Sequence, residues 1–299
     1  MKRLVILAAF GIVLLSACRR AGEFPSDEVL RRSTSASAQL LSAEYDVSVD
    51  LAVANGMLTL QGQATLQGTL GSGGQQAAFT AIVNGSMARA GGDTEMQLTA
   101  DVVSELADSY VRVSALKLTP EPALLAGNRA SWIGKWWKIP REGGNLPLQP
   151  LTPDPQFLRA QAAVVTVTKD FGLEDINGRD AYRYAVSIDP ERLVALMQES
   201  AEKRGKPFDA ALARTELAQY DATGELWIDA ETFVLHRFSW TVSAKDRPSA
   251  LRLHFIADLR NHNGAAPITV PADYQVFSRE LLLKNLLPLS TGSGGAFSL

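Results

Sequence analysis

From Tyr45 onward apolar and polar residues alternate strictly. Tyr45, Val47, Val49, Leu51 and Val53 fall on one side, and Glu44, Asp46, Ser48 and Asp50 on the other. A period of two places successive side chains on opposite faces, so this run predicts a half-buried strand. Asn55-Gly56 is a hairpin signal. The next run again alternates, with Leu58, Leu60, Gly62, Ala64, Leu66 and Leu70 against Thr59, Gln61, Gln63, Thr65, Gln67 and Thr69. The two runs therefore predict an antiparallel pair. Gly71-Ser72-Gly73-Gly74 lacks the lysine of a phosphate-binding loop and lies between strands, which makes it a turn.

The same reading predicts strands at Ala77 to Val83, Thr94 to Val103 and Tyr110 to Leu116, after which a Pro-interrupted stretch leads to Gly134-Lys135-Trp136-Trp137-Lys138-Ile139. Val164 to Phe171 and Tyr182 to Ile188 form a hairpin around Asn177-Gly178. The last long strands are Glu225 to Asp229, Phe233 to Ala244 and Ala250 to Arg260. Helical signals are fewer. Ser26, followed by Asp27 and Glu28, predicts an N-cap and first turn of a helix reaching about Leu41 and packing through Val29, Leu30, Ala36, Leu40 and Leu41. Asp189 before Pro190 and Glu191 caps a second helix with Leu193, Leu196 and Met197 on its stripe, and Gly205 stops it. A third runs from Pro207 to Gln219, and Leu281 to Leu287 is compatible with another. The Pro-rich stretch from Pro147 to Pro155 divides the chain into two strand-rich halves. Each half alone would leave a sheet face uncovered, so the stretch reads as a loop within one sheet.

The first residues break this pattern. Met1, Lys2 and Arg3 form a positive head, and Leu4 to Leu15 an uncharged apolar run. About 12 residues are too few for the roughly 20 that a membrane-crossing helix needs, so the layout is that of an export signal. Leu15-Ser16-Ala17-Cys18 resembles the bacterial lipobox, and that resemblance implies cleavage before Cys18 and its acylation. Cys18 is the single cysteine, so no internal disulfide is available. The expected organisation is a signal peptide at 1–17, a lipidated tether at 18–25, one domain at 26–289 and a Ser/Gly tail at 290–299. Taking 17 residues from 299 leaves 282, and losing Lys2 and Arg3 moves the formal charge from −3 to −5. Such a chain is a poor partner for nucleic acid.

Candidate chemistry is sparse. His236, His254 and His262 have no second histidine or cysteine at a metal-ligand spacing, so no metal or other cofactor is expected. His236 shares its strand face with Phe238, Trp240 and Val242 and reads as a hydrogen-bonded core histidine. Asp229 and Glu231 flank a turn, where short acidic residues are common. The sequence lacks a Gly-x-Ser-x-Gly elbow, and lipidation consumes Cys18. The expected protein is not an enzyme and has no catalytic residue. What stands out is apolar strand surface in excess of what three modest helices cover, which points to a concave apolar binding site.

The order of elements resembles the mycobacterial LppX/LprG group of lipoproteins and, more distantly, the lipoprotein carriers of the LolA and LolB type. The resemblance is carried by the helix before Tyr45, by Tyr110-Val111-Arg112-Val113 leading to Gly134-Lys135-Trp136-Trp137-Lys138-Ile139, by Asn177-Gly178 before Tyr182-Arg183-Tyr184, by Glu225-Leu226-Trp227-Ile228-Asp229, and by Val270-Pro271-Ala272-Asp273. It implies an α+β fold, a strongly curved antiparallel half-barrel with helices covering its concave side, and an apolar cavity for acyl chains. The residues expected to line that cavity are Val47, Val49, Leu58, Leu60, Leu98, Leu253 and Phe255. The expected partners are a membrane, through acylated Cys18, and a lipid or lipoprotein ligand. A sheet that binds an envelope protein and no cargo is the alternative.

Overall fold

A computed structural model describes residues 24–56, 58–89, 92–105, 108–121, 132–140, 158, 163–203, 205–247 and 250–277. Cys18, the signal segment, the whole Pro-rich stretch from Pro147 to Pro155, the Leu-rich segment and the tail lie outside them. After helix α1 (Ser26–Ala38) come strands β1 (Ala43–Ala54), β2 (Leu58–Gly71), β3 (Gln76–Arg89), β4 (Gly92–Ser104), β5 (Asp108–Thr119) and β6 (Trp136–Pro140). Then follow β7 (Val165–Ile176), β8 (Arg179–Ile188), helices α2 (Pro190–Lys203) and α3 (Ala210–Leu217), and β9 (Tyr220–Asp229), β10 (Leu235–Ala244), β11 (Leu251–Arg260) and β12 (Gln275–Val276).

The twelve strands of the described residues belong to one open, curved sheet in the order β12-β6-β5-β4-β3-β2-β1-β11-β10-β9-β8-β7, which is the expected α+β half-barrel. Every pairing is antiparallel except the short parallel contact of β12 with β6. Two meanders, β1 to β6 and β7 to β11, are joined by β1 and β11, with Tyr45 opposite Leu259 and Val49 opposite Phe255. Strands from either side of the Pro-rich stretch thus share one ladder. The predicted turns form as their residues require: Gly56 has φ +85°, and Asn177 and Gly178 have φ +57° and +79°.

One face of the sheet, called inner here, carries Ala43, Tyr45, Val47, Leu66, Phe79, Val102, Tyr184, Leu226, Phe238 and Ala257 in a single buried cluster that also takes in Val29 of α1. Helix α1 therefore covers one end of this face. Its details depart from expectation. Pro25 occupies the N-cap position, and the amide of Val29 donates to its carbonyl, so Ser26 is already helical and caps nothing. The helix ends at Ala38 and buries Val29, Ser33 and Ser37. Leu40 is buried beyond it, whereas Leu41 is 66% exposed because the chain has left the helix and its amide donates to Asn263 Oδ1. Asp189 Oδ1 accepts from the amides of Glu191 and Arg192, as its cap role predicts. The third helix starts later than Pro207, with Asp209 Oδ1 accepting from the amides of Ala211 and Leu212.

Candidate functional site

The seven residues expected to line a cavity all lie on the inner face, and the ladder registers bring them together. Leu98 opposes Val83, Val83 opposes Ala64, Ala64 opposes Val49, and Val49 opposes Phe255. The row continues through Trp240, Gly224 and Val186. Val47 lies in the neighbouring row toward α1, between Leu66 and Ala257. On the other side, Leu253 opposes Leu51, Leu60 opposes both Val53 and Met87, and Leu58 is two residues further along β2.

Burial divides this face in two. Under α1 the side chains are closed off, with Tyr45 and Ala257 fully buried and Val47 at 7% exposure. Toward the Asn55-Gly56 turn, Val49, Leu51, Val53, Leu58, Leu60, Leu98, Leu253 and Phe255 are all only half-buried. Gly62, Ala64, Ala81 and Gly85 fall among these larger side chains, and their size leaves the middle of the face shallow. A cleft of 570 Å³ opens at the rim of this half, lined in part by Val53, Leu251, Tyr220 and Ala244. A larger one of 690 Å³ has a different character. It is lined by the outward polar side chains Asp50, Gln61, Gln63, Asn84, Glu95 and Arg252, together with Leu51 and Met96.

A polar centre lies at the end of β9, on the outward side of the sheet, where Asp229 opposes Ala181. Asp229, only 1% exposed, accepts at Oδ1 from the amides of Glu231 and Thr232 and from the Thr232 hydroxyl. Its Oδ2 meets His236 Nε2 at 3.0 Å and Arg179 Nε at 3.1 Å. Burial alone would raise this carboxyl, but the Thr232 amide, His236, the Thr232 hydroxyl and the Glu231 amide outweigh it and hold the pKa at about 2. The His262 ring stands edge-on to His236 with centres 5.3 Å apart, and burial lowers its pKa. His236 does not share the face of Phe238 and Trp240 as its spacing predicted. A bulge between Leu235 and Arg237 takes it out of the alternation, and its hydrogen bond is to Asp229. The turn role of Asp229 is as expected. Its burial could not be read, because Arg179 and His236 come from other parts of the chain. Among the described residues, no three His, Cys, Asp or Glu side chains gather as a metal site needs.

No family model and no characterised protein matches the sequence. Among solved structures the chain is similar to LprF from Mycobacterium bovis, at 16% identity, with 85% of this chain and all of that chain covered and a TM-score of 0.41. It is similar to the lipoprotein LppX from Mycobacterium tuberculosis at 12% identity, over 82% of this chain and all of the other, with a TM-score of 0.35. A LolA superfamily protein from Nitrosomonas europaea matches at 8% identity over 89% of this chain and all of its own, with a TM-score of 0.25.

Three residues of the inner face carry chemistry that the sequence reading passed over. The phenol oxygens of Tyr45, Tyr182 and Tyr184 are buried and have no hydrogen-bond partner among the described residues. Tyr182 and Tyr184 stack with ring centres 6.3 Å apart and planes 3° from parallel, and Phe233 stacks on Tyr182 at 6.5 Å. Arg32 of α1 lies 4.9 Å from the Phe233 ring and 4.0 Å from Phe24. The one signal in the sequence was tyrosine at inward positions of two alternating runs, which period alone reads as packing.

Proposed function

We propose that the protein is a non-enzymatic lipoprotein of the bacterial envelope, tethered through acylated Cys18, that holds acyl chains of a lipid or lipoprotein against the inner face of its sheet. The observation that carries this reading is the half-buried apolar surface from Val49 to Leu60 and from Phe255 to Leu251, continuous with the buried core but not covered as the core is. Apolar surface left at a rim marks a place where a ligand completes the burial. Each buried methylene of a chain contributes about 0.8 kcal/mol, so a long acyl chain binds without a charged contact even after several kcal/mol are lost to immobilisation.

Filling the shallow face tests it. Leu60→Trp or Leu253→Trp should lower uptake of fluorescent acyl lipid from vesicles by about tenfold or more, the equivalent of two methylenes lost. Gln61→Ala and Arg252→Ala, on the outward face, should leave uptake unchanged. If wild-type protein takes up no lipid and carries none from its host, the reading fails and a protein partner on this face becomes the better account. The tether has a separate test: Cys18→Ser should abolish metabolic labelling by a fatty-acid analogue and leave uncleaved precursor in the membrane fraction. Equal label on both proteins would refute the lipid anchor.

A further inference from the structure

His262 couples the polar centre to a segment more than two hundred residues earlier in the chain. It sits in the loop after β11 between Asn261 and Asn263, whose φ angles of +51° and +58° turn the backbone sharply. The Gly264 amide donates to the Asn261 carbonyl, and Asn261 Nδ2 donates to the Gly264 carbonyl, so the loop is bonded to itself and moves as one piece. Its two sides hold different elements. On one side His262 Nε2 meets the Leu235 carbonyl of β10 at 3.1 Å, with the ring edge-on to His236. On the other, the amide of Leu41 donates to Asn263 Oδ1 at 2.7 Å, the amide of Asn263 donates to the Ser42 carbonyl at 2.7 Å, and Asn261 Nδ2 donates to Glu44 Oε1. The imidazole thus anchors the loop that in turn holds residues 39–42, the link between α1 and β1.

We infer that His262 is an acid-sensitive latch: on gaining a proton its ring leaves the β10 side, and the loop that carries it releases the link between α1 and β1. A carbonyl only accepts, so Nε2 bears the hydrogen of the neutral ring and a second proton goes to Nδ1. The surrounding charges decide how that proton is received. Arg179 of β8 and His236 of β10 oppose it, and Asp229 at the end of β9 favours it. Asp229 is already engaged by two amides, the Thr232 hydroxyl, His236 and Arg179. The other carboxylates of this cleft are matched as well, Asp258 by Arg237 and Asp46 by Arg260, which also holds Glu44. Burial comes first among the causes and keeps the closed ring below the ordinary 6.5. Above pH 6.5 both forms of the loop are neutral and the closed one prevails. Below it the released ring, in water, binds a proton that the closed ring does not, so release grows as pH falls. Asp229, near 2, and Glu44, held below 4.5, stay ionised through this range, which leaves the histidine as the group that responds.

The released link is part of the cover of the inner face. Leu40 belongs to the buried cluster at 4% exposure, and the Gly73 amide, in the turn between β2 and β3, donates to the Leu41 carbonyl. Freeing residues 39–42 therefore loosens the C-terminal end of α1 and lets water reach the cluster beneath it. This device stands whatever the inner face binds, because every contact in it is within the chain.

Hydrogen exchange of the mature chain at pH 7.5 and pH 5.5, corrected for the pH dependence of chemical exchange, tests it. Protection of the Leu41, Gly73 and Asn263 amides should fall by up to about tenfold at the lower pH, the limit for one linked proton with an open-state pKa near 6.5. The ladder between β2 and β3 should keep its protection. His262→Gln, whose side-chain amide still offers a donor to the Leu235 carbonyl but takes no proton, should hold wild-type protection at both pH values. Asn263→Ala, which cuts the other side of the loop, should expose Leu41 at both. Equal protection of the link at both pH values in wild type, a fall that persists in His262→Gln, or an equal fall in the β2–β3 ladder overturns the inference. Where His262→Gln folds poorly, an NMR titration of the wild-type ring decides: a pKa at or above 6.5 overturns the latch, and one below it supports it.

Discussion

Replacing Asp229 with alanine should lower the stability of the fold by about 3 kcal/mol or more, because it leaves two turn amides and the buried side of His236 without their acceptor. For a chain of this size that corresponds to a fall in Tm of roughly 6–12 °C. Asp229→Asn keeps an acceptor oxygen at Oδ1 for the amides of Glu231 and Thr232, so it should cost distinctly less than the alanine substitution. The two variants together separate the turn from the charge. The wild-type carboxyl has a native pKa near 2 against an ordinary value of 3.8, so the unfolded chain binds its proton first as pH falls. The stability it contributes, about 2 kcal/mol, is complete above pH 3.8 and is lost as pH drops toward 2. His262 acts in the same direction at a higher pH. Its native pKa lies below 6.5, so the unfolded chain is protonated first and stability begins to decline as pH falls through 6.5. Thermal melts from pH 7 to pH 2 should show both losses in wild type and a smaller acid loss in Asp229→Asn, the remainder belonging to carboxyls such as Glu28 and Glu44 that arginine and asparagine partners also hold below their ordinary values. An Asp229→Ala protein that melts with wild type at neutral pH would show that the network is not structural.

The alternation that made the strands legible also fixed which residues share a face, and this is why all seven predicted lining residues lie together on one side of the sheet. Turn chemistry was legible for the same local reason: Asn55-Gly56 and Asn177-Gly178 set the two hairpins. What local pattern could not supply was pairing across distance. Nothing in Tyr45 or Leu259 announces that β1 and β11 close the two meanders into one sheet, with Tyr45 against Leu259. The parallel contact of Gln275-Val276 with Trp137-Lys138 is two residues long and has no period to detect. His236 was assigned to the wrong face because a bulge shifts the alternation by one residue, and periodicity assumes that no such shift occurs. The unpaired phenols escaped for a deeper reason. Whether a hydroxyl is satisfied depends on every neighbour in space, and a tyrosine at an inward position has the same sequence signature in either case.

Two glycines on the inner face show how tightly the closed half is built, and they carry the largest single-methyl effects expected. Gly68 of β2 stands between Tyr45 and Phe79 on the neighbouring strands, and Gly224 of β9 stands between Val186 and Trp240. At Gly224 the Trp240 ring lies over the space that a side chain would occupy, and at Gly68 the Cβ and Cα of Phe79 stand in it. A Cβ at Gly68 would lie 2.3 Å from the Ala78 carbonyl oxygen and 2.5 Å from Phe79 Cβ. At Gly224 it would lie 2.3 Å from the Ser239 carbonyl oxygen and 2.8 Å from the Trp240 ring. Those oxygens are held in the ladder and cannot retreat without opening the sheet. Gly68→Ala and Gly224→Ala should therefore each cost about 3 kcal/mol or more, at or beyond the upper end of ordinary overpacking, and lower the yield of folded protein. Gly62 supplies the contrast in the shallow half. Its Cβ would meet the Asn84 carbonyl oxygen at 3.3 Å and Gly85 Cα at 3.6 Å, a contact that small adjustments relieve. The lower entropy of the unfolded alanine chain offsets part of that strain, by about 0.4–1 kcal/mol, so Gly62→Ala should stay within about 1 kcal/mol of wild type. Urea unfolding of the three variants measures the order directly. Comparable stability in all three would mean that the aromatic residues move aside freely and that the closed half is as yielding as the open one.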